Sequence, residues 1–139
     1  MRIAFSGTGN SGKTTLVKSF LYTWDNYITP EKSYRDILIE EDLSHSSNTT
    51  TDTQEKILNF FIEQSQAYDK DAKVVYDRCS LDNIAYTMWC HEKGIESFDK
   101  AYVTSQITLM RESLRFIDII FLCRFDESQS VEDDGVRDT

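Results

Sequence analysis

Residues 6–15 read SGTGNSGKTT. Gly7 and Gly12 enclose four residues and are followed at once by Lys13 and Thr14, the spacing of a loop that wraps around phosphate. Each residue type has a physical reason to be there. The glycines let the backbone curl so that successive N–H groups face inward, and the positive end of a helix starting near Lys13 adds to the attraction for an anion. The Lys13 ammonium would reach the β- and γ-phosphates of a nucleoside triphosphate, and the Thr14 hydroxyl would ligate Mg²⁺. Thr8, Gly9, Asn10, Ser11 and Thr15 complete the candidate ATP cradle. Lys13 is expected to be a solvated loop lysine that carries little packing.

A second candidate lies at KVVYDR, residues 73–78. Asp77 ends an apolar strand pattern, where a carboxylate would hold Mg²⁺ directly or through water; a helix cap or a turn is the alternative use of such an acid. The neighbouring Arg78 guanidinium would hold a phosphate or the charge spread over a transferred group, or else form a surface salt bridge.

The elements around these residues alternate. Ile3–Ser6 has a buried-strand pattern, and Leu16, Val17, Phe20, Leu21 and Trp24 then recur at helical spacing. Tyr27 and Ile28 suggest a second short strand, followed by a helix with Thr29 as N-cap and Pro30 at its first position, its apolar side made by Tyr34, Ile37 and Leu38. Residues 44–51, SHSSNTTT, are polar and aperiodic and predict an exposed loop. Thr51 and Gln54 form a capping box for a helix carrying Ile57, Leu58, Phe61, Ile62 and Tyr68. After the 73–77 strand, Leu81, Ile84, Ala85, Met88 and Trp89 make a helical stripe stopped by Gly94. Val103, Ile107, Met110 and Leu114 mark a last helix, and 118–123 a further buried strand. Such alternation predicts an α/β fold, a parallel sheet with helices on both faces and a ligand site outside the carboxyl ends of the strands. The phosphate loop, Pro30–Glu31 and Asp77–Arg78 all fall at those ends.

Bulk properties agree. With 139 residues and 40% apolar content the chain reads as one domain, residues 1–139. Nothing in it is long and apolar enough for a signal peptide or membrane span, so a cytoplasmic chain is expected. Cys79, Cys90 and Cys123 are odd in number and widely spaced, which suits reduced core thiols better than disulfides or zinc. Fifteen basic against 24 acidic residues leave a net charge of −9, a field that repels polyanions and argues against a nucleic-acid partner. His45 and His91 have no companions that would make a catalytic constellation.

At DRCSLDNIAY, residues 77–86, the chain resembles the Asp-Arg…Leu-Asp…Ala-Tyr segment of P-loop nucleoside and nucleotide kinases, in particular the nicotinamide riboside kinase-like and phage ATPase-like branch. PEKSYR, 30–35, is similar to that branch's Glu-and-Arg segment, and EDDGVRDT, 132–139, to its lid. Cys79-Ser80 departs from the small or proline-containing pair usual there. The resemblance implies the three-layer P-loop NTPase fold. It places Glu31 on the acceptor side, as a carboxylate binding a sugar hydroxyl and accepting its proton, where a first-turn acid favourable to the helix dipole is the alternative. Arg35, one helical turn later and on the same face, would bind an acceptor phosphate or pair with Glu31. Asp82 would cap or orient its helix, Tyr86 would be core rather than a stacking partner, and Arg137 would be the lid arginine.

The expected activity is transfer of the γ-phosphoryl of Mg²⁺–ATP to a small nucleoside or nucleotide held between Glu31, Arg35 and Arg78. A GTPase switch is weakened because no Asn-Lys-x-Asp reads guanine and no Asp-x-x-Gly follows the third strand. A non-catalytic or weakly hydrolysing ATP-binding regulatory module and a polynucleotide kinase are the alternatives. Residues 124–139 are charged and lack an apolar period, so the lid is expected to be incomplete.

Overall fold

Strand alternation divides the core. In β1 (Arg2–Gly7), Ile3 and Phe5 project to one face of the sheet and Ala4 to the other. Residues 1–8, 12–41 and 50–124 are described by the computed structural model. After β1 come α1 (Lys13–Thr23), α2 (Tyr34–Glu40), α3 (Thr51–Gln66), β2 (Val74–Asp77), α4 (Ser80–Glu92) and α5 (Lys100–Ser113). One 3₁₀ turn, Leu114–Phe116, then leads into β3 (Ile119–Cys123). The three strands form one parallel sheet in the order β2-β1-β3. With the five α-helices among the described residues this is the expected α/β, P-loop NTPase type of fold.

Val17 of α1 packs on Ile3, Phe5 and Val75, joined by Phe20, Leu21 and Tyr27. The opposite face, Ala4, Val74 and Tyr76, is covered by Tyr68, Leu81, Leu114 and Ile117. A third cluster of Leu58, Ile84 and Met110 binds α3, α4 and α5 to one another. Helices therefore cover both faces, and the three-layer core holds the carboxyl ends of β1 and β2 side by side, with Phe5 opposite Asp77. At the other end of β1, the Asp118 carboxylate accepts the Arg2 backbone N–H at 2.7 Å and its guanidinium at 3.3 Å. That pairing holds the Asp118 carboxyl below its usual range.

Several local expectations change. Tyr27–Ile28 is no strand: Ile28 makes a single parallel bridge to Val74, on the side of β2 away from β1. The helix expected from Thr29–Pro30 starts four residues later, because Ser33 and Asp36 cap each other reciprocally. The cap of α3 is Thr50, whose hydroxyl accepts the Thr53 N–H at 3.1 Å, and Thr51 is the first helical residue. That helix ends at Gln66, so Tyr68 lies beyond it and meets Tyr76 edge-on at 6.2 Å. The 118–123 run is a strand but not a buried one. Among the described residues β3 is an edge strand of the sheet, with Phe121 46% and Leu122 68% exposed. Most of the expected loop, 44–49, lies outside the described residues, and no helix among those described is long and apolar enough to cross a membrane.

Candidate functional site

The phosphate loop leaves β1 at Gly7, whose φ of 148° is one that side chains rarely adopt. A Cβ there would also fall within 3.0 Å of the Cys123 carbonyl oxygen on β3. Gly12, where the loop ends, has a φ of 87° and, among the described residues, nothing within 4 Å of an added Cβ. Gly12 is the N-cap of α1 and offers no side chain to the first turn, which contains no acid either. Ser33, Thr50 and Asp99 cap α2, α3 and α5, and Asp82 closes the start of α4. Alone of the five α-helices, α1 starts with no side-chain cap among the described residues, the condition under which a helix terminus takes an anion.

Lys13, the first residue of α1, is only 5% exposed and donates to the Thr8 carbonyl. The expectation of a solvated lysine is therefore wrong. Its surroundings strip water from its ammonium. Burial and the neighbouring Arg78 guanidinium lower its pKa to about 8, against the opposing pull of Asp82 and Asp77. A cationic group held out of water in a cleft is poised for an anionic ligand.

Thr14 and Asp77 come together as the loop chemistry requires: the Thr14 hydroxyl donates to the Asp77 carboxylate at 3.0 Å. Hard oxygen donors on two elements suit Mg²⁺, which keeps several waters and draws further ligands from substrate phosphates. Among the described residues no trio of His, Cys, Asp or Glu gathers into a metal cluster. A divalent ion here would rely on that thin protein contribution.

Arg78 occupies the left-handed region, φ 79°, without being glycine. Its N–H donates to the Phe5 carbonyl at 2.9 Å, which ties the turn after β2 to the end of β1. Its guanidinium lies 5.1 Å from the centre of the Tyr34 ring and 3.8 Å from the Asp82 carboxylate. Strained backbone of this kind persists only where surrounding contacts over-determine it, and it gathers at functional sites.

The remaining candidates are less closely joined. Glu31 is exposed in the bend before α2, and Arg35 is exposed in its first turn. Because the helix begins at Tyr34, Glu31 is not on it, and the shared helical face expected for the pair does not exist. Thr15 is exposed on α1 and Thr8 exposed just after β1. Gly9, Asn10, Ser11 and Arg137 lie outside the described residues, as does the lid expected over 124–139 apart from Arg124. His91 is engaged at Nδ1 with the Phe98 carbonyl, 2.7 Å away.

Two contributors were missed by sequence reasoning. Tyr34 reads as helix core, yet its ring faces the Arg78 guanidinium. Asp82 reads as a cap and is one, but its other oxygen accepts the Gly7 N–H at 2.8 Å. The cap was legible from the three-residue spacing; a bond across 75 positions of chain has no local signal. The chain matches the family described as AAA domain over residues 2–139. No curated protein matches it.

Proposed function

Because the chain belongs to the AAA domain family, a P-loop NTPase-type family of nucleotide-binding proteins, we propose that it is an ATP-dependent phosphotransferase acting on a small nucleoside or nucleotide. The observation that carries this reading is the Thr14–Asp77 hydrogen bond beside a desolvated Lys13 and an uncapped α1. The loop amides and Lys13 hold the donor phosphates. Thr14 and Asp77 would hold Mg²⁺, which when bound supplies charge neutralisation on the transferred group. Arg78, braced by Tyr34, stabilises the charge that spreads over that group. Glu31 accepts the acceptor hydroxyl's proton, and Arg35 binds an acceptor phosphate where there is one. Catalysis is then mostly positioning and electrostatics.

The exposure of Glu31 and Arg35 favours a second reading, an ATP-binding regulatory module that transfers nothing. A screen for ADP release separates the two. Nucleosides, deoxynucleosides, nicotinamide riboside and their monophosphates are each offered with Mg²⁺–ATP. Acceptor-dependent ADP formation supports the kinase; ATP retained without it, across the whole panel, supports the module and overturns the kinase.

A further inference from the structure

Two helices start with the same local device and differ in what the device touches. At α2, the Asp36 carboxylate accepts the Ser33 N–H at 2.8 Å and the Ser33 hydroxyl at 3.1 Å, and both contacts stay within the turn. At α4, one Asp82 oxygen accepts the Cys79 N–H at 3.0 Å while the other accepts the Gly7 N–H at 2.8 Å. The Asp82 side chain is only 8% exposed, and the Arg78 guanidinium stands 3.8 Å from the oxygen that holds Gly7. A cap alone needs one oxygen.

We propose that Asp82 is a positioning residue for the phosphate site, its carboxylate fastening the entry of the phosphate loop at Gly7 to the turn that presents Asp77 and Arg78. The physical case rests on three constraints meeting at one carboxylate. Gly7 sits at a φ that no other residue adopts easily, at the point where the phosphate loop leaves β1. The turn after β2 carries a strained residue, Arg78, whose φ is 79°. Glycine leaves the Gly7 backbone many alternatives and Arg78 does not hold its left-handed backbone by local preference, so a buried charged acceptor joining the two segments supplies the restraint. Arg78 is aligned by the same group, with the Tyr34 ring on its other flank. Loss of the carboxylate frees the Gly7 amide and the turn together, and the cradle and Arg78 then have to be ordered by the ligand when it binds.

The proposal rests on the phosphate-binding reading above, and its test uses inorganic tripolyphosphate as the probe so that no acceptor is needed. Tripolyphosphate affinity is measured by calorimetry for the wild-type chain, Asp82→Asn, Asp82→Ala and Asp36→Asn, beside thermal unfolding and hydrogen exchange of the Gly7 amide. The expected result is at least tenfold weaker binding and at least tenfold faster Gly7 exchange in both Asp82 variants. Asp36→Asn should lower the melting temperature while leaving affinity and Gly7 exchange at wild-type values. The near-isosteric Asp82→Asn keeps the test valid if Asp82→Ala fails to fold. Wild-type affinity in a folded Asp82→Asn variant, or an equal loss in Asp36→Asn, overturns the positioning role and leaves Asp82 a cap. A wild-type chain that does not bind tripolyphosphate overturns the phosphate-binding reading and this proposal with it, a result distinct from either.

Discussion

The proposed donor and acceptor halves of the candidate site are built to different standards. On the donor side Lys13 is buried, Thr14 bonds Asp77, and Gly7 is held by Asp82 on one side and pressed against Cys123 on the other. On the acceptor side Glu31 and Arg35 are exposed and belong to different local structures, a bend and a helix. Phosphate is the same in every nucleotide, so its cradle can be finished by the fold; an acceptor differs in shape, so its groups gain from adjusting on binding. The link between the halves is Arg78, anchored to Phe5 through its backbone and to Tyr34 through its side chain.

The largest effect should come from Lys13→Ala, which is expected to weaken tripolyphosphate or ATP binding by about 10²–10³-fold, the scale on which removing one preorganised charge-stabilising donor acts. Since the lysine is desolvated, its removal should not lower the melting temperature of the unliganded chain. Calorimetry and thermal unfolding check both. An unchanged affinity would mean that the donor half is not a phosphate site at all.

Next in size are the two glycines. Gly7→Ala places a Cβ against backbone that cannot yield and should cost roughly 3 kcal/mol or more, within the range of overpacking and strain. Gly12→Ala has open space and pays only for the left-handed backbone, about 1–2 kcal/mol. Denaturant unfolding measures the difference; equal costs would show that Cys123 does not confine the loop.

Asp77→Asn should reduce the Mg²⁺-dependent part of ATP affinity about tenfold, because a neutral amide is a poor ligand for a hard cation. Binding measured without Mg²⁺ should change little. Loss of the metal-free component instead would make Asp77 a structural partner of Thr14 rather than a candidate ligand.

A pH effect follows from Lys13. Its folded pKa of about 8 lies below the ordinary 10.5, so its charge on the cradle falls as pH rises from 7 to 9. Metal-free tripolyphosphate should bind several-fold more weakly at pH 9 than at pH 7, since the ammonium is the binding form. The same depression works in the opposite sense on stability. Burying the charged form is unfavourable below about pH 8, so this group's contribution to the unliganded fold improves between pH 8 and 10.5. A pH titration by calorimetry, with Lys13→Ala as control, tests the assignment.

The smallest effects on the donor half should come from Glu31→Gln and Arg35→Ala. Both are exposed, so stability should stay within about 0.5 kcal/mol of wild type. ATP affinity should be unchanged, with any loss confined to acceptor-dependent turnover. A fall in ATP affinity comparable with that of Asp77→Asn would erase the division between the two halves.

How much was legible follows from the range of each signal. The strand, glycine loop and helix of residues 2–23 are contiguous, so their spacing carried both fold and chemistry. Ser33 and Asp36 compete with Thr29 and Pro30 for the same helix start, and the competition is decided by which cap closes two hydrogen bonds at once. The apolar run 119–123 signals a strand, but whether a strand is central or at an edge depends on what lies beside it, which its own residues do not encode.

By itself, then, the sequence determined the alternation of strands and helices, the phosphate loop with Lys13 and Thr14, and the acid at the end of β2, because each is specified by neighbours within about one helical turn. Only the tertiary structure decided that Lys13 is buried, that Thr14 meets Asp77 across 63 positions, and that Asp82 reaches Gly7 across 75. Those contacts arise where parallel strands bring their carboxyl ends together, and the pairing of β1 with β2 and β3 is set by the summed burial of apolar faces rather than by any local pattern.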